Sequence, residues 1–270
     1  MTEASYFTRI DDRTFAATRH VEGAWNTSEQ HVAPSFGLLM HEVERDHERR
    51  RRAADAGAQL LQLSRASFDI YGTFTLDPVE VDVTVLRPGR TIELVEATLT
   101  QGDRTAVVLR AWLLQEFDTA ALEGTDLPTM PSRQELEAAG ADTSRFRASW
   151  PGDAVRSIDV VSREMRPGRA QSWIRPRVTI LDEPVSATAR SVGMLDFANG
   201  MTPRSPIGEV AFPNLDLTVS YTRRPVGEWQ GYDTSVTFGA NGVGLTHTVL
   251  HDERGPLGAL TQSLTIRPMR

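Results

Sequence analysis

The sequence predicts an α+β fold built twice over, two antiparallel sheets each wrapped around a central helix, on one chain of 270 residues. Three observations predict it. First, an alternating pattern occurs twice. Val79-Glu80-Val81-Asp82-Val83-Thr84-Val85-Leu86 leads into Arg87-Pro88-Gly89, and Leu215-Asp216-Leu217-Thr218-Val219-Ser220-Tyr221-Thr222 leads into Arg223-Arg224-Pro225. Aligned on the first Arg, the apolar positions stay in phase through Val219, and such alternation marks a strand with one wet face. Second, each half has one helical segment placed early, with a run of strands after it. Third, an antiparallel sheet needs one face covered, and one helix per half supplies that cover.

Taken in order, residues 6–22 read as an opening strand region and residues 25–31 as a polar loop. From about 35 to 55 the pattern is helical: Phe36, Leu39, Met40 and Val43 recur at three and four residues and form one apolar face. The helix ends in Arg49-Arg50-Arg51-Arg52, where cations are favoured by the dipole; a solvated helix end is the plainer reading and a phosphate contact the sharper one. Strands follow near 59–76, 79–87, 90–101 and 104–117, with Gln101-Gly102-Asp103 as a hairpin turn. Residues 118–153 are turn-rich, around a short helical stretch at Gln134–Ala139. The second half repeats the order: strands near 155–164 and 170–180, a helix near 190–200, then strands near 214–223, 228–238, 243–253 and 256–268. Asn241-Gly242 and Arg254-Gly255 mark tight turns. The expected division is residues 1–120, a linker at 121–153, and residues 154–270 carrying the site.

Hydrophobic residues make up 40% and charged residues 24%, as in a soluble globular protein. With no cysteine, the chain has no disulfide, thiolate nucleophile or zinc–cysteine site. A net charge of -7 argues against nucleic acid as a partner. Every basic residue is arginine. The start, Met1-Thr2-Glu3-Ala4-Ser5-Tyr6-Phe7, has neither the basic start nor the apolar run of a signal peptide, and no stretch is long and apolar enough to span a bilayer. A cytoplasmic location is expected.

A sheet around a single central helix is the hotdog arrangement, and two copies joined edge to edge make a double hotdog, which also hides edge strands. Several segments fit a known family of this kind. Trp25-Asn26, Gln30-His31-Val32-Ala33-Pro34 and Leu38-Leu39 enter the first helix; Met194-Leu195-Asp196-Phe197-Ala198-Asn199-Gly200 lies at the second. Asn214–Val219, Arg223–Trp229 and Gln262 complete the set. The ordered set resembles the acyl-CoA thioesterase II-like family of double-hotdog hydrolases. That resemblance implies hydrolysis of an acyl-CoA thioester, and a site made of Asp196, Asn214 and Gln262. The family often has Thr or Ser where Asn214 stands, and Gly-Gly where Val32-Ala33 stand.

The chemistry of these residues is consistent with that role, and each also has a plainer reading. Thioester hydrolysis needs a held water, a base and donors for the oxyanion. Asp196, near a helix N-terminus, is expected to stay ionised and serve as the base or as the charge that orients the water, or else to be only an N-cap. Gln262 shares an otherwise apolar face with Leu260, Leu264 and Ile266, so its amide needs partners, in a site or from backbone. Asn214 offers donors and an acceptor to a water, or is a turn residue. Backbone N–H groups at a helix start can polarise the thioester oxygen. His31 lines an acyl or pantetheine channel, or holds a loop. Arg223 and Arg224 meet coenzyme A phosphates, or are exposed turn arginines. Neither His20, His41, His47, His247 nor His251 shows metal-ligand spacing, and Gly239–Gly244 reads as a hairpin rather than a dinucleotide loop. The first half has Ser35-Phe36-Gly37 where the second has Asp196, and Pro78 is matched to Asn214, so one site per chain is expected, at the seam between the halves.

The expected function is therefore metal-independent hydrolysis of an acyl-CoA in lipid metabolism, with no cofactor, by a homo-oligomer. Two alternatives stand beside it: a non-catalytic acyl-CoA or acyl-lipid binding protein on the same fold, and an enoyl-CoA hydratase. The hydratase needs an Asp–His pair, and the second-half helix offers no His near Asp196.

Overall fold

A computed structural model of the chain describes residues 4–269. The first half comprises β1 (Phe7–Arg9), β2 (Thr14–Ala17), α1 (Val32–Ala54), β3 (Gln62–Ile70), β4 (Val79–Arg87), β5 (Ile92–Gln101) and β6 (Arg104–Leu114). The connecting stretch carries α2 (Arg133–Ala138), α3 (Arg145–Ser149) and α4 (Asp153–Arg156). The second half holds β7 (Ile158–Arg166), β8 (Arg169–Pro176), α5 (Ala187–Val192), α6 (Phe197–Gly200), β9 (Val210–Ala211) and β10 (Asp216–Tyr221). It ends with β11 (Gln230–Phe238), β12 (Val243–Asp252), β13 (Gly255–Thr265) and β14 (Arg267–Pro268). No described helix is long and apolar enough to cross a membrane.

Rather than two sheets, twelve strands form one continuous sheet in the order β1-β2-β4-β5-β6-β3-β10-β13-β12-β11-β8-β7, while β9 and β14 pair separately. The halves join through an antiparallel β3–β10 ladder that sets Phe68 opposite Leu217 and Ala66 opposite Val219. Each of these strands would otherwise present a row of unpaired backbone donors and acceptors, which is why the two sheets fuse. The predicted hairpin turns are in place, with Gly102, Gly242 and Gly255 all at positive φ.

The strand order also corrects the repeat. Read from each outer edge inward, the halves run β1-β2-β4-β5-β6-β3 and β7-β8-β11-β12-β13-β10. β4 therefore corresponds to β11, and β10 to β3. The in-phase alternation of residues 79–86 and 215–222 is what any strand with one buried face shows, and it aligned strands that are not equivalent. The counterpart of Asn214 lies ahead of β3, not at Pro78.

Residues Ala33 to Val43 of α1 are buried all round, not on one face as the periodicity suggests. The sheet curls over one side, with Phe36 stacked on Phe68 of β3 at 4.0 Å. On the other side α1 meets α5 backbone to backbone. A Cβ on Gly37 would lie 2.5 Å from Ile180 Cδ1 and 3.0 Å from Gly193 Cα, so only glycine allows this approach. The arginine run at the other end is an ion-paired surface: Arg49 and Arg50 bond Asp46, and Arg50 also bonds Glu93.

In the second half the expected long helix is broken. α5 is capped by Ser186, whose hydroxyl accepts from Ala189 N at 2.9 Å, and it closes at Gly193, whose N–H donates to the Ala189 carbonyl. Residues 193–196 then turn before α6. Asp196 stands in that turn, opposite the N-terminus of α1.

Candidate active site

A cavity of about 300 Å³ opens where the two halves meet. Trp25, His31 and Tyr71 line it from the first half, and Asp196, Phe197 and Asn214 from the second. The connecting stretch adds Phe146 and Trp150, which its turn-rich sequence gave no reason to place there. The large apolar residues within that polar stretch were the available signal. Trp25, nearly half exposed, meets buried Trp150 edge-on at 4.7 Å and Phe212 at 5.4 Å, closing one wall.

Asp196 is 7% exposed and is not used as a helix cap: it holds the N-cap position of α6 without a side-chain cap bond. Its Oδ1 instead accepts two amide donors, Asn214 Nδ2 at 2.7 Å and Gln262 Nε2 at 3.2 Å. The three residues named from the sequence thus form one cluster. Asn214 is held just before β10 by a second bond to the Asp216 carbonyl and by pairing with Leu264. Gln262 sits fully buried on β13 between buried Leu260 and Leu264, as its period-two position requires. Its Oε1 has no protein donor, and the buried hydroxyl of Thr246, paired with Gln262 on the adjacent β12, has no hydrogen-bond partner either.

Electrostatics reverse one expectation. Burial raises the Asp196 pKa to about 7, against the lowering effect of the Asn214 and Gln262 amides. The four-residue α6 donates no bond to the carboxylate, so desolvation dominates and the group sits at the balance of its two forms near neutrality.

Asp196 also has a histidine neighbour, supplied by the first half rather than by the second-half helix region. His31 caps α1, and its Nδ1 lies 3.7 Å from Asp196 Oδ2. The α1–α5 packing places the start of α1 beside the second-half turn, a proximity invisible in linear sequence. Burial lowers the His31 pKa to about 4, so the ring is neutral at physiological pH and the contact is no ion pair. Nδ1 accepts from Ala33 N at 3.2 Å, which leaves the ring proton on Nε2. The ring packs on Phe197 at 4.8 Å.

The two arginines lie elsewhere. Arg223 forms a bidentate ion pair with buried Asp252, one arm at 2.7 Å, and Arg224 pairs with Glu116 at 2.5 Å. Neither lines the cavity. His41, Glu42 and Glu183 bring possible ligand atoms within 4.8 Å of one another. The Arg9 guanidinium already occupies the cluster, donating to Glu42 at 2.5 Å and Glu183 at 2.6 Å, and Arg45 adds a second cation to Glu42 at 3.3 Å, so the two carboxylates are held by arginines.

With this geometry, the chain compares closely with one family. The acyl-CoA thioesterase N-terminal domain model matches residues 21–114, and the C-terminal domain model matches residues 125–266, more than half the chain by itself. The chain belongs to the acyl-CoA thioesterase family. The resemblance read from the motifs is therefore correct, and membership supports acyl-CoA thioester hydrolysis as the class of activity. Among solved structures, a tesB protein of Mycobacterium avium subs paratuberculosis shares 18% identity over 97% of this chain and 96% of that one, with a TM-score of 0.60. An acyl-CoA thioesterase II from Mycobacterium marinum shares 15% over 97% and 96%, at 0.64. A hot dog fold protein from Alicyclobacillus acidocaldarius shares 13% over 99% and 98%, at 0.71. At such identities the likeness shows the fold, which is of the hotdog kind. No curated protein matches the sequence.

Proposed function

We propose that this acyl-CoA thioesterase family member hydrolyses an acyl-CoA by direct attack of water, with Asp196 as the base. Asp196 takes a proton from water as its oxygen adds to the thioester carbonyl carbon. The tetrahedral intermediate then collapses, the C–S bond breaks, and the coenzyme A thiolate leaves with the proton Asp196 received. Asn214, at the cavity wall, and Gln262, fully buried behind it, fix the carboxylate. No covalent intermediate, metal or cofactor enters this scheme.

The observation that carries the proposal is the double amide clamp on one carboxylate oxygen, at the wall of a cavity, in a group whose pKa stands at about 7. A base acts best when its pKa matches the working pH. The oxyanion donor follows from the local backbone. At the start of α1, Ala33 N–H is taken by His31 and Pro34 has none, which leaves Val32, a cavity residue, as the donor aimed by the helix start. The N–H groups of Phe197 and Ala198 are already bonded to the Met194 and Leu195 carbonyls.

The test is free-thiol release from acyl-CoAs of increasing length, by wild type and Asp196→Asn. Turnover lost in the variant supports the proposal. Tight acyl-CoA binding with no turnover at any length indicates the binding-protein alternative, which the departures at Val32, Ala33 and Asn214 keep in play. The 3.7 Å approach of His31 to Asp196 favours one second reading, water addition to an enoyl-CoA. Hydration of crotonyl-CoA without thiol release would establish it.

A further inference from the structure

Beside the site cavity lies a second one of about 390 Å³, and the two share Phe146 and Gly200 as lining residues. We infer that the second cavity receives the distal end of the acyl chain, and that the Phe146 ring, resting against Gly200, is the partition that sets acyl length. This rests on the hydrolase reading above and extends it to the substrate's far end.

The wall is thin. Gly200 ends α6, four residues after Asp196, and carries no side chain; a Cβ built there would stand 3.6 Å from Phe146 Cε2 and 4.0 Å from Trp150 Cζ2. Phe146 is half-buried on α3, a five-residue helix whose N-cap, Ser144, makes no side-chain cap bond. Its ring meets Phe197 edge-on at 6.4 Å, and Phe197 in turn packs on His31. An aromatic row thus runs from the Asp196 turn to the partition.

The chemistry of the second cavity favours an alkyl chain over the polyanionic end of coenzyme A. Val160, Met201, Ile207 and Phe146 give it an apolar lining. Its arginines are engaged, Arg145 with Glu164 at 2.8 Å and Arg204 with the Val236 carbonyl at 3.3 Å. Asp142 and Glu164 offset the charges of these two arginines, so the lining carries no net positive charge to draw a phosphate. Gly72, also on the site cavity but not on the second one, has the Arg104 guanidinium beside it, 3.6 Å from where a Cβ would lie. The nucleotide end is therefore assigned to the Gly72 side and the acyl end to the Phe146 side.

The experiment compares wild type, Phe146→Ala, Phe146→Leu and Gly200→Ala on acyl-CoAs from butyryl to palmitoyl, reading kcat/KM by thiol release. Removing the ring should raise kcat/KM for long chains relative to butyryl-CoA by about fourfold per methylene newly sheltered. Gly200→Ala, which fits at ordinary contact distance, should lower kcat/KM for long chains relative to butyryl-CoA. Calorimetric binding of free palmitate and butyrate to the same proteins runs in parallel. If wild type turns over no acyl-CoA, the hydrolase reading fails, and a palmitate affinity that rises in Phe146→Ala still upholds the subsite. An unchanged length profile and unchanged palmitate binding in all variants would overturn the proposal, as would a loss uniform across every chain length.

Discussion

Gln262 donates its amide to Asp196 at 3.2 Å from β13, the neighbour of the seam strand β10, while its own oxygen finds no protein donor. A fully buried amide satisfied on only one side is costly in a packed sheet. It orders the carboxylate. Replacement by Leu, similar in size, should keep the fold and cut kcat by about 10²–10³ with KM little changed. Steady-state kinetics on one acyl-CoA checks the split; a rise in KM alone would point to a binding role.

The pH dependence follows from burial of Asp196. A base must be ionised, so kcat/KM should rise with pH through about 7 and level off above it. His31, lowered to about 4, contributes no inflection in the neutral range. Asn214→Ala removes a donor that favours the ionised form, and should move the midpoint upward. A pH–rate profile of both proteins checks the direction.

The same shift has a stability sign. Because the folded pKa exceeds the ordinary value of 3.8, the group's stabilising contribution is present below about 4 and is lost as pH rises through about 7. Relative to Asp196→Asn, wild type should thus lose thermal stability progressively across that window, by a few kcal/mol in order of magnitude. Glu44 is raised to about 7 as well, by burial and against the lowering bond from Ser186, but it is common to both proteins and cancels in the difference. Thermal unfolding of the pair against pH provides the measurement.

The Gly37–Gly193 approach holds the His31 end of α1 against the Asp196 turn. Gly37→Ala forces Ile180 aside and pushes the helices apart. A loss of about 1–3 kcal/mol is expected from overpacking, together with reduced kcat. Denaturant unfolding and thiol release on the same sample read both.

Arg223 separates a structural role from a substrate contact. Its guanidinium neutralises Asp252, which is 3% exposed, so Arg223→Ala should cost about 3–5 kcal/mol by stranding a buried charge. KM for acyl-CoA should stay near the wild-type value. An intact fold with a large KM increase would return Arg223 to the phosphate-binding role its sequence suggested.

Much of the strand layout was legible because alternation and glycine turns are local. β4, β5 and β6 begin and end within a few residues of the expected spans, and α1 was marked by its apolar repeat. The cluster of Asp196, Asn214 and Gln262 was legible through the family resemblance, with Gln262 also betrayed as a polar residue on an apolar face. What escaped depends on tertiary placement. Alternation alone could not say which strands of the two halves correspond, so β4 was paired with β10. The break before α6 follows from Gly193 packing on Gly37, a contact between distant segments. The upward shift of Asp196 comes from burial, which no neighbouring residue in the chain reveals. His31 reaches Asp196, and Phe146 reaches Gly200, only across the seam.

The most direct measurement is thiol release by Asp196→Asn on the best wild-type acyl-CoA, with substrate binding followed alongside. If Asp196 is the base, turnover falls by about 10²–10⁴ while acyl-CoA still binds. An Asp196→Asn protein that turns over at the wild-type rate would remove Asp196 from the chemistry.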